Sequence, residues 1–198
     1  MPSLDRGDLM GDPIAQFSAW WTDAEEAPLR EAMTLATVDS DGRPDARMVL
    51  LKGFGAVGFR FFTNYRSAKA AQLDAGGHAA LVLYWRELDR QVRVRGPIEQ
   101  LDVAGSDEYF ATRPRGSQLG AWASPQSQTL ADRTALDSRL AEVTDRFDGL
   151  EVPRPEHWGG YVVHHEIVEF WQGQVGRLHD RFRYRRAGDA WEIERLGP

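Results

Sequence analysis

The feature that most limits the fold of this 198-residue chain is a succession of short apolar runs separated by turn sequences. Residues 33–38 and 45–52 have the composition of strands, and Asp39-Ser-Asp-Gly42 between them is typical of a hairpin turn. Similar runs follow at residues 57–63, 79–85, 90–95, 98–101, 160–163, 167–172, 181–186 and 191–195. Because strands joined by hairpins pair antiparallel, we expect about seven to nine short antiparallel strands.

Helices are predicted before and between these strands. Asp12-Pro13 places an N-cap before a proline at the first helical position, and apolar residues at helical spacing follow as far as Trp21. Further helices are predicted at residues 68–73, 103–112, 117–123 and 129–147. Strands with helices inserted between them favour a mainly β fold, a closed or partly closed barrel, over an alternating βαβ sheet.

The chain is predicted to form one domain. It has no internal repeat and no low-complexity tract, and its length suits a single well-buried core. Residues 1–11 contain two glycines and many charged side chains and are predicted to be a mobile arm. The single domain is therefore expected to span residues 12–198.

Composition argues against several functional classes. The absence of cysteine excludes disulfides, thiolate metal sites and a cysteine nucleophile. A net charge of −6 makes nucleic acid or an anionic membrane a poor partner for the surface as a whole. The sequence has no apolar run of transmembrane length, no signal-peptide pattern at its start and no metal-ligand cluster, so we expect a cytoplasmic protein without a metal site.

Two segments combine cations and hydroxyl groups at the start of a predicted helix. Thr63-Asn-Tyr-Arg-Ser-Ala-Lys69 precedes one helix, and Arg113-Pro-Arg-Gly-Ser117 precedes another. Free backbone N–H groups and the helix dipole favour a phosphate at such a position. Either segment alone is more typical of a capped helix with solvated arginines, but two of them in one acidic chain favour two phosphorylated ligands.

A third candidate segment lies near the C-terminus. Arg177, His179 and Arg181 follow at every second position, so on a strand they would share one face and repel each other unless an anion lies between them. Gly173 and Gly176 predict a bend that would let this short segment contact two different ligands.

Taken together, the ordered motifs of this chain resemble the flavin-dependent pyridoxamine 5′-phosphate oxidases. The segments that carry the resemblance are Arg47-Met-Val-Leu-Leu-Lys52, Phe62-Thr-Asn-Tyr-Arg-Ser-Ala-Lys69, Arg90-Gln91-Val, Tyr109-Phe-Ala-Thr-Arg-Pro-Arg-Gly-Ser117-Gln, Trp122-Ala-Ser-Pro-Gln126-Ser127 and Glu169-Phe-Trp171-Gln-Gly with Arg177-Leu-His179-Asp-Arg181. The overall match runs from about residue 12 to residue 198. No single motif is specific, but the ordered set of six is.

The resemblance implies an antiparallel FMN-binding split β-barrel of Greek-key type with helical insertions, which forms a homodimer with FMN held between the subunits. It implies that the flavin phosphate and ribityl chain contact Arg47, Lys69, Gln126 and Ser127. The rest of the flavin would be lined by Met48, Val49, Leu50, Leu51, Lys52, Phe62, Thr63, Gln91, Trp171 and Arg181. Many family members have an arginine where this chain has Ala68, and Arg66 is expected to compensate.

For the substrate, the resemblance implies that Lys52, Tyr109, Arg113 and Ser117 bind the phosphate of a vitamin B6 vitamer. Arg177 and His179 would lie over its pyridine ring as the catalytic residues. The implied reaction is the oxidation of pyridoxamine or pyridoxine 5′-phosphate to pyridoxal 5′-phosphate, with O2 as electron acceptor and H2O2 as product.

Two other functions stay open at this point. Many family members carry an N-terminal Arg-x-x-Tyr segment that folds over the substrate, and this sequence does not contain it. Related flavin oxidases of phenazine biosynthesis also lack it, so an FMN oxidase of a non-phosphorylated aromatic such as a dihydrophenazine is one alternative. A non-catalytic protein that binds flavin or pyridoxal phosphate is the other. The cations and hydroxyl of residues 113–117 favour the phosphorylated substrate.

Overall fold

A computed structural model describes residues 3–198. Within this part of the chain, ten strands pair antiparallel throughout. They are β1 (Ala32–Val38), β2 (Pro44–Leu50), β3 (Gly53–Phe54), β4 (Phe59–Asn64), β5 (His78–Trp85), β6 (Arg90–Gln100), β7 (Trp158–Val163), β8 (Ile167–Gln172), β9 (Asp180–Ala187) and β10 (Ala190–Leu196). Five helices accompany them: α1 (Pro13–Asp23), α2 (Ala68–Gly76), α3 (Val103–Ala111), α4 (Arg115–Ala123) and α5 (Arg133–Arg146).

The strands form a curled sheet that closes part of a barrel. Its long path runs in the order β10-β9-β8-β6-β5-β1-β2, and β3, β4 and β7 form a second arm that joins it through β6. The first half of β6 pairs with β8, whereas residues 98–100 pair with β7. The predicted mainly β, partly closed barrel is therefore confirmed.

β6 turns from one arm to the other at Gly96. A Cβ atom at this position would lie 1.9 Å from the backbone carbonyl oxygen of His164, so only glycine allows the two backbones to approach this closely. The sequence predicted separate runs at residues 90–95 and 98–101, but β6 is continuous through Pro97 between them. Pro97 still pairs in register with His78 at the end of β5.

One face of the sheet is buried against α1. Alternate residues of β1 are buried, including Met33 and Leu35, as the period of a half-buried strand requires. Phe17 and Trp20 of α1 pack onto this face, and burial of each such side chain contributes about 1.5–3 kcal/mol. Asp12 caps α1 by accepting hydrogen bonds from the backbone N–H groups of Ile14 and Ala15, as predicted.

Helices α3 to α5 form the predicted insertion between β6 and β7. They pack around a second apolar cluster that includes Phe110, Leu119, Phe147 and Trp158. The predicted long helix at residues 129–147 begins later, at Arg133, because Asp132 provides the N-cap by accepting from the backbone N–H of Ala135. None of the helices described for residues 3–198 is long and apolar enough to cross a membrane.

The arm predicted at residues 1–11 begins with Met1 and Pro2, which lie outside the described residues. From Leu4 onward this segment contacts the barrel. Leu4 is buried in the main core, and the carbonyl oxygen of Met10 accepts a hydrogen bond from the Tyr184 hydroxyl at 2.7 Å. The mobility of the arm stays a prediction, and any motion of residues 4–10 has to break these contacts.

Candidate functional site

A cavity of about 480 Å³ lies between β2, β4 and the helical insertion. This volume is typical of small-molecule sites. Eleven of the predicted site residues line it: Met48, Val49, Leu50, Lys52, Phe62, Thr63, Lys69, Tyr109, Arg113, Ser117 and Gln126. The fold thus brings together residues from segments that are far apart in sequence.

The cavity carries positive charge in an acidic protein. Lys52, Lys69 and Arg113 line it, and none of its described lining residues is acidic. Both lysines of the chain are therefore found here. A partly enclosed site with three cations and no carboxylate favours an anionic ligand.

Lys69 lies in the first turn of α2. Its Nζ donates a hydrogen bond to Gln126 Oε1 at 3.0 Å, and the Thr63 hydroxyl donates to the same oxygen at 3.0 Å. Burial lowers the pKa of Lys69, and the positive charge of Arg47 lowers it further. Asp45 offsets part of this charge, and a phosphate between the two cations would offset more of it.

Arg47 lies next to this group but does not line the cavity. Its guanidinium donates to Thr37 Oγ1 at 2.6 Å and to Gln72 Oε1 at 2.8 Å, and it forms an ion pair with Asp45. Hydrogen bonds from Gln72 and Arg47 keep the pKa of Asp45 below its ordinary value.

Arg113 is the least satisfied polar side chain of the site. Its Nη1 is buried and has no hydrogen-bond partner among residues 3–198. Burial lowers the pKa of this guanidinium, and the Tyr109 hydroxyl opposes that shift. A buried donor without a partner is costly, so an anion that accepts from Nη1 would remove an existing penalty.

An aromatic wall holds Arg113. The guanidinium carbon lies 4.5 Å from the centre of the Trp158 ring, within the range of a cation–π contact. Trp158 is stacked on Phe62 at 5.4 Å, and Phe62 is stacked on Tyr109 at 3.9 Å. Trp158, Thr112 and Pro114 line the cavity although the sequence did not predict them.

Gln91, Trp171 and Arg181 form a second group on the opposite part of the sheet. They are direct partners across β6, β8 and β9, so their side chains share one face. Arg181 donates from Nε and Nη2 to Glu169 Oε1 at 3.0 and 2.8 Å, and from Nη1 to the carbonyl oxygen of Gly197. These bonds fix the guanidinium beside Trp171.

Arg177 and His179 lie in the segment between β8 and β9. The predicted alternation of residues 177, 179 and 181 on one strand is wrong for Arg177 and His179, because β9 begins only at Asp180 and residues 175–177 form a short 3₁₀ turn. The bend predicted from Gly176 is present, with a φ of 71°. His179 contacts the Trp171 ring at 4.6 Å and accepts a hydrogen bond at Nδ1 from the backbone N–H of Gln174.

The two groups are well separated within one chain. Trp171 and Met48 are separated by four steps in strand order, from β8 through β6, β5 and β1 to β2. At about 4.8 Å per strand this is roughly 19 Å along the sheet. A single chain therefore does not bring all the predicted residues to one cavity.

Three further predicted residues belong neither to the cavity lining nor to the second group. Leu51 is only 4% exposed and belongs to the main core. Arg66 is exposed in the turn before α2, and Ser127 is exposed with a positive φ of 68°. Their predicted contacts with the flavin stay predictions, as does compensation by Arg66 for Ala68.

The cavity fits a phosphorylated cofactor and a phosphorylated substrate in the chemistry of its donors. Lys69, with Arg47 behind it and α2 beginning beside it, offers one anion position. Arg113, Lys52 and Ser117 offer another. Aromatic rings next to both suit planar ring systems.

Comparison with known proteins agrees with this chemistry. Residues 23–147 match the family model described as pyridoxamine 5′-phosphate oxidase. Residues 158–198 match the model described as the pyridoxine 5′-phosphate oxidase C-terminal dimerisation region, which supports the predicted homodimer. The Trp171, Arg177, His179 and Arg181 group lies inside this second region.

Individual relatives cover nearly the whole chain. A pyridoxine/pyridoxamine 5′-phosphate oxidase of Thermosynechococcus vestitus is 56% identical, over 98% of this chain and 93% of its own. One of Salinibacter ruber is 54% identical with the same coverage. Among solved structures, PhzG from Burkholderia lata in complex with tetrahydrophenazine-1-carboxylic acid has a TM-score of 0.92 and 32% identity, with 98% of each chain covered. The chain therefore belongs to the pyridoxamine 5′-phosphate oxidase family.

Proposed function

We propose that the protein is an FMN-dependent oxidase that converts pyridoxamine and pyridoxine 5′-phosphate to pyridoxal 5′-phosphate. The observation that carries the proposal is a cavity with no acidic side chain among its described lining residues, in which a buried Arg113 donor has no hydrogen-bond partner in residues 3–198. Relatives more than 50% identical over almost their full length are named for this activity. FMN is the cofactor.

Lys69, Arg47 and Gln126 are proposed to hold the FMN phosphate. The Gln126 side-chain oxygen already accepts from Lys69 and Thr63, so the first turn of α2, the end of β4 and the segment after α4 are held together before a ligand binds. Such pre-organisation lowers the cost of ordering the site. Met48, Leu50 and Phe62 supply apolar surface for the flavin ring.

Arg113, Lys52, Ser117 and Tyr109 are proposed to bind the substrate phosphate. Since a phosphate monoester carries nearly two negative charges at neutral pH, a guanidinium and an ammonium together offset it. Binding at this end fixes the position of the pyridine ring. Proximity and orientation are the largest contributions that a protein makes to a reaction in which the cofactor carries the redox chemistry.

When bound, FMN would supply the two-electron redox chemistry for oxidation at the 4′ carbon of the substrate, with O2 as the final electron acceptor and H2O2 as its product. Pyridoxamine 5′-phosphate, O2 and water thus give pyridoxal 5′-phosphate, ammonia and H2O2. Arg177 and His179 orient the pyridine ring and stabilise the charge that develops on it. Because Nδ1 of His179 accepts the Gln174 N–H, the neutral imidazole carries its proton on Nε2, where it can donate.

FMN is proposed to lie at the interface of a homodimer. The cavity group and the Trp171 group are separated by about 19 Å along the sheet of one chain, so each active site would take one group from each subunit. Trp171 and Arg181 of the second group, together with Arg177 and His179, lie inside the dimerisation region, which supports this arrangement.

A dihydrophenazine oxidase is the second candidate, because the PhzG structure with its phenazine ligand is 32% identical to this chain. The two functions differ in their need for Arg113. A phosphorylated substrate requires its charge, whereas a non-phosphorylated aromatic does not.

The test measures anaerobic bleaching of the FMN-loaded protein near 450 nm, where oxidised flavins absorb, on addition of pyridoxamine 5′-phosphate. We expect bleaching by the phosphorylated vitamer and little with pyridoxamine itself. Bleaching by a dihydrophenazine alone would favour the second candidate, and no bleaching with either would indicate a flavin-binding protein without this activity.

Arg113→Ala is the matching variant. Loss of a hydrogen bond from a charged donor to the phosphate is expected to raise KM for pyridoxine 5′-phosphate about 10- to 100-fold, corresponding to roughly 1.5–3 kcal/mol. Arg115→Ala is the control, since Arg115 donates to the carbonyl oxygens of Leu150 and Phe147 and not to the cavity. An equal KM change in both variants would contradict the role of Arg113.

A further inference from the structure

The carboxylate of Asp180 joins three separate parts of the chain. Its Oδ2 accepts from the backbone N–H of Leu4 at 3.0 Å and from Gln174 Nε2 at 3.0 Å, and its Oδ1 accepts from Arg195 Nη1 at 2.6 Å. Asp180 is 9% exposed. It lies on the core-facing side of β9, opposite in direction to the flanking Arg181. The Asp180 side chain therefore points away from the sheet face that carries Trp171 and Arg181.

One of the three partners belongs to the loop that carries Arg177 and His179. Within a single chain this loop, residues 173–179, has little apolar packing: Val175 is 92% and Leu178 is 72% exposed. Arg177 holds a positive φ of 64°, which is unfavourable for a non-glycine residue. The loop thus depends on polar contacts to keep its conformation.

Gln174 provides two of these contacts. Its side chain donates to Asp180, and its backbone N–H donates to Nδ1 of His179 at 3.1 Å. Holding the Gln174 side chain therefore holds the backbone group that orients the His179 ring. A third contact, from the Gly173 N–H to the Asp89 carbonyl oxygen, fixes only the start of the loop.

The other two partners fix Asp180 from both ends of the described chain. Arg195 Nη2 donates to the Leu4 carbonyl oxygen at 3.0 Å and to Asp5 Oδ1 at 2.6 Å. Leu4, Arg195 and Asp180 thus form a closed ring of hydrogen bonds around the carboxylate. The Leu4 side chain is buried in the main core, which anchors this ring.

We propose that Asp180 is a positioning residue for the reaction, which links the docked segment at residues 4–5 and the C-terminal strand to the loop of Arg177 and His179. This role rests on the proposed function, because it acts through those two residues. Asp180 fixes the Gln174 side chain, and the backbone N–H of Gln174 then fixes the orientation of the His179 ring. In this orientation Nε2 of His179 is left as a donor beside Trp171. Undocking of residues 4–5 would loosen the loop by the same path.

The first variant that tests this link is Asp180→Asn. The amide is similar in size, but its NH2 group faces either Arg195 or the two N–H donors from Leu4 and Gln174, so one set of bonds is lost. We expect flavin reduction by pyridoxine 5′-phosphate to slow about 10- to 100-fold, while the Kd for FMN stays within about 2-fold. Hydrogen exchange of residues 173–179 in the FMN-loaded protein without substrate should become faster.

Glu194→Gln is the matched control. Glu194 accepts two hydrogen bonds from Arg183 across the same strand pair, at 3.0 and 2.7 Å. Within the described chain it forms no hydrogen bond or ion pair with residues 173–179. This variant loses a comparable ion pair and should change neither the reduction rate nor exchange in residues 173–179. Equal effects in both variants would mean that Asp180 acts only on stability.

Gln174→Leu tests the same link from the loop side and does not depend on the folding of the Asp180 variant. It should slow flavin reduction by a similar factor, and the double variant should be no slower than the slower single one. Additive losses, or unchanged loop exchange in both single variants, would overturn the proposal. If wild-type protein fails to bleach, the proposed function is wrong, whereas the exchange measurement still decides whether Asp180 holds the loop.

Discussion

Arg113 shows how a single side chain can be prepared for a ligand. Its charge is partly buried, one terminal nitrogen has no hydrogen-bond partner among residues 3–198, and its guanidinium lies over the face of Trp158. A cation–π contact of this kind stabilises the charge by about 0.5–2 kcal/mol without occupying the N–H donors. The donors therefore stay available for an anion, and Trp158 fixes the plane in which they lie.

Replacement of Trp158 by phenylalanine tests this arrangement. The smaller ring has the weaker quadrupole, so we expect KM for pyridoxine 5′-phosphate to rise about 3- to 10-fold, which corresponds to roughly 1 kcal/mol. Steady-state kinetics and Tm of the same samples measure the two effects separately.

Trp122→Phe is the control for that substitution. Arg146 lies over Trp122 at 4.8 Å, and the indole N–H donates to the Pro153 carbonyl oxygen, but neither side chain lines the cavity. This variant should lower Tm and leave KM unchanged. A KM that does not respond to Trp158→Phe would show that the aromatic face is not needed to hold Arg113.

Among the elements, β6 determines how the two arms of the sheet are joined. It pairs with β8 in its first half and with β7 in its last residues, and the change occurs where the His164 carbonyl oxygen crosses close to Gly96. The sequence pattern correctly indicated strand character on both sides of Pro97. It did not indicate that one continuous strand serves both arms, because the reason is a contact with a residue 68 positions away.

Gly96→Ala is therefore expected to be strongly destabilising. The new methyl group would overlap a backbone oxygen that cannot rotate away, and we expect a loss of about 2 kcal/mol or more. Urea unfolding at a fixed protein concentration measures this effect, since the stability of a dimer depends on concentration.

Gly120→Ala provides the comparison within a helix. Nothing lies within 4 Å of a Cβ at this position of α4, so alanine should stabilise by up to about 1 kcal/mol. If Gly96→Ala were equally benign, the close approach to His164 would not be what selects glycine there.

In the whole molecule, the predicted site residues fall into two groups that one chain keeps apart. The sheet face shared by Trp171 and Arg181 also carries exposed apolar side chains toward β2, including Tyr84 and the 62% exposed Met48. Exposed apolar surface that connects two ligand groups is expected of an interface between subunits.

Mixing of inactive subunits tests whether two chains share each site. At a pyridoxine 5′-phosphate concentration well below the wild-type KM, Arg113→Ala and Arg181→Ala are each expected to have little activity alone, because each removes one ligand-binding side chain from both sites. If the two variants associate at random, half of the dimers would contain one subunit of each variant. One of the two sites in such a dimer would be intact, so about a quarter of wild-type activity should return. O2 consumption with pyridoxine 5′-phosphate measures the recovery.

The pair Arg113→Ala and Lys69→Ala is the control for that experiment. Both residues line the same cavity, so no mixed dimer has an intact site and activity should stay absent. Recovery in the control, or none with the Arg113 and Arg181 pair, would contradict a shared site.

The sequence by itself determined the features that depend on near neighbours. The Asp12 cap, the hairpin turn at residues 39–42 and the strand at residues 33–38 each arise from residues a few positions apart, so they were predicted closely. The ordered motifs were also sufficient to indicate the family, because they record residue types at fixed spacings.

Only the tertiary structure decided which distant residues meet. Trp158 supports Arg113 from 45 residues away, Asp180 connects Leu4 with Gln174, and Trp171 lies four strand steps from the cavity of the same chain. Such contacts follow from how the sheet pairs and curls to bury its apolar face, and a local pattern does not encode that packing. For the same reason the sequence predicted a set of ligand-binding residues, whereas the fold divided that set into two groups.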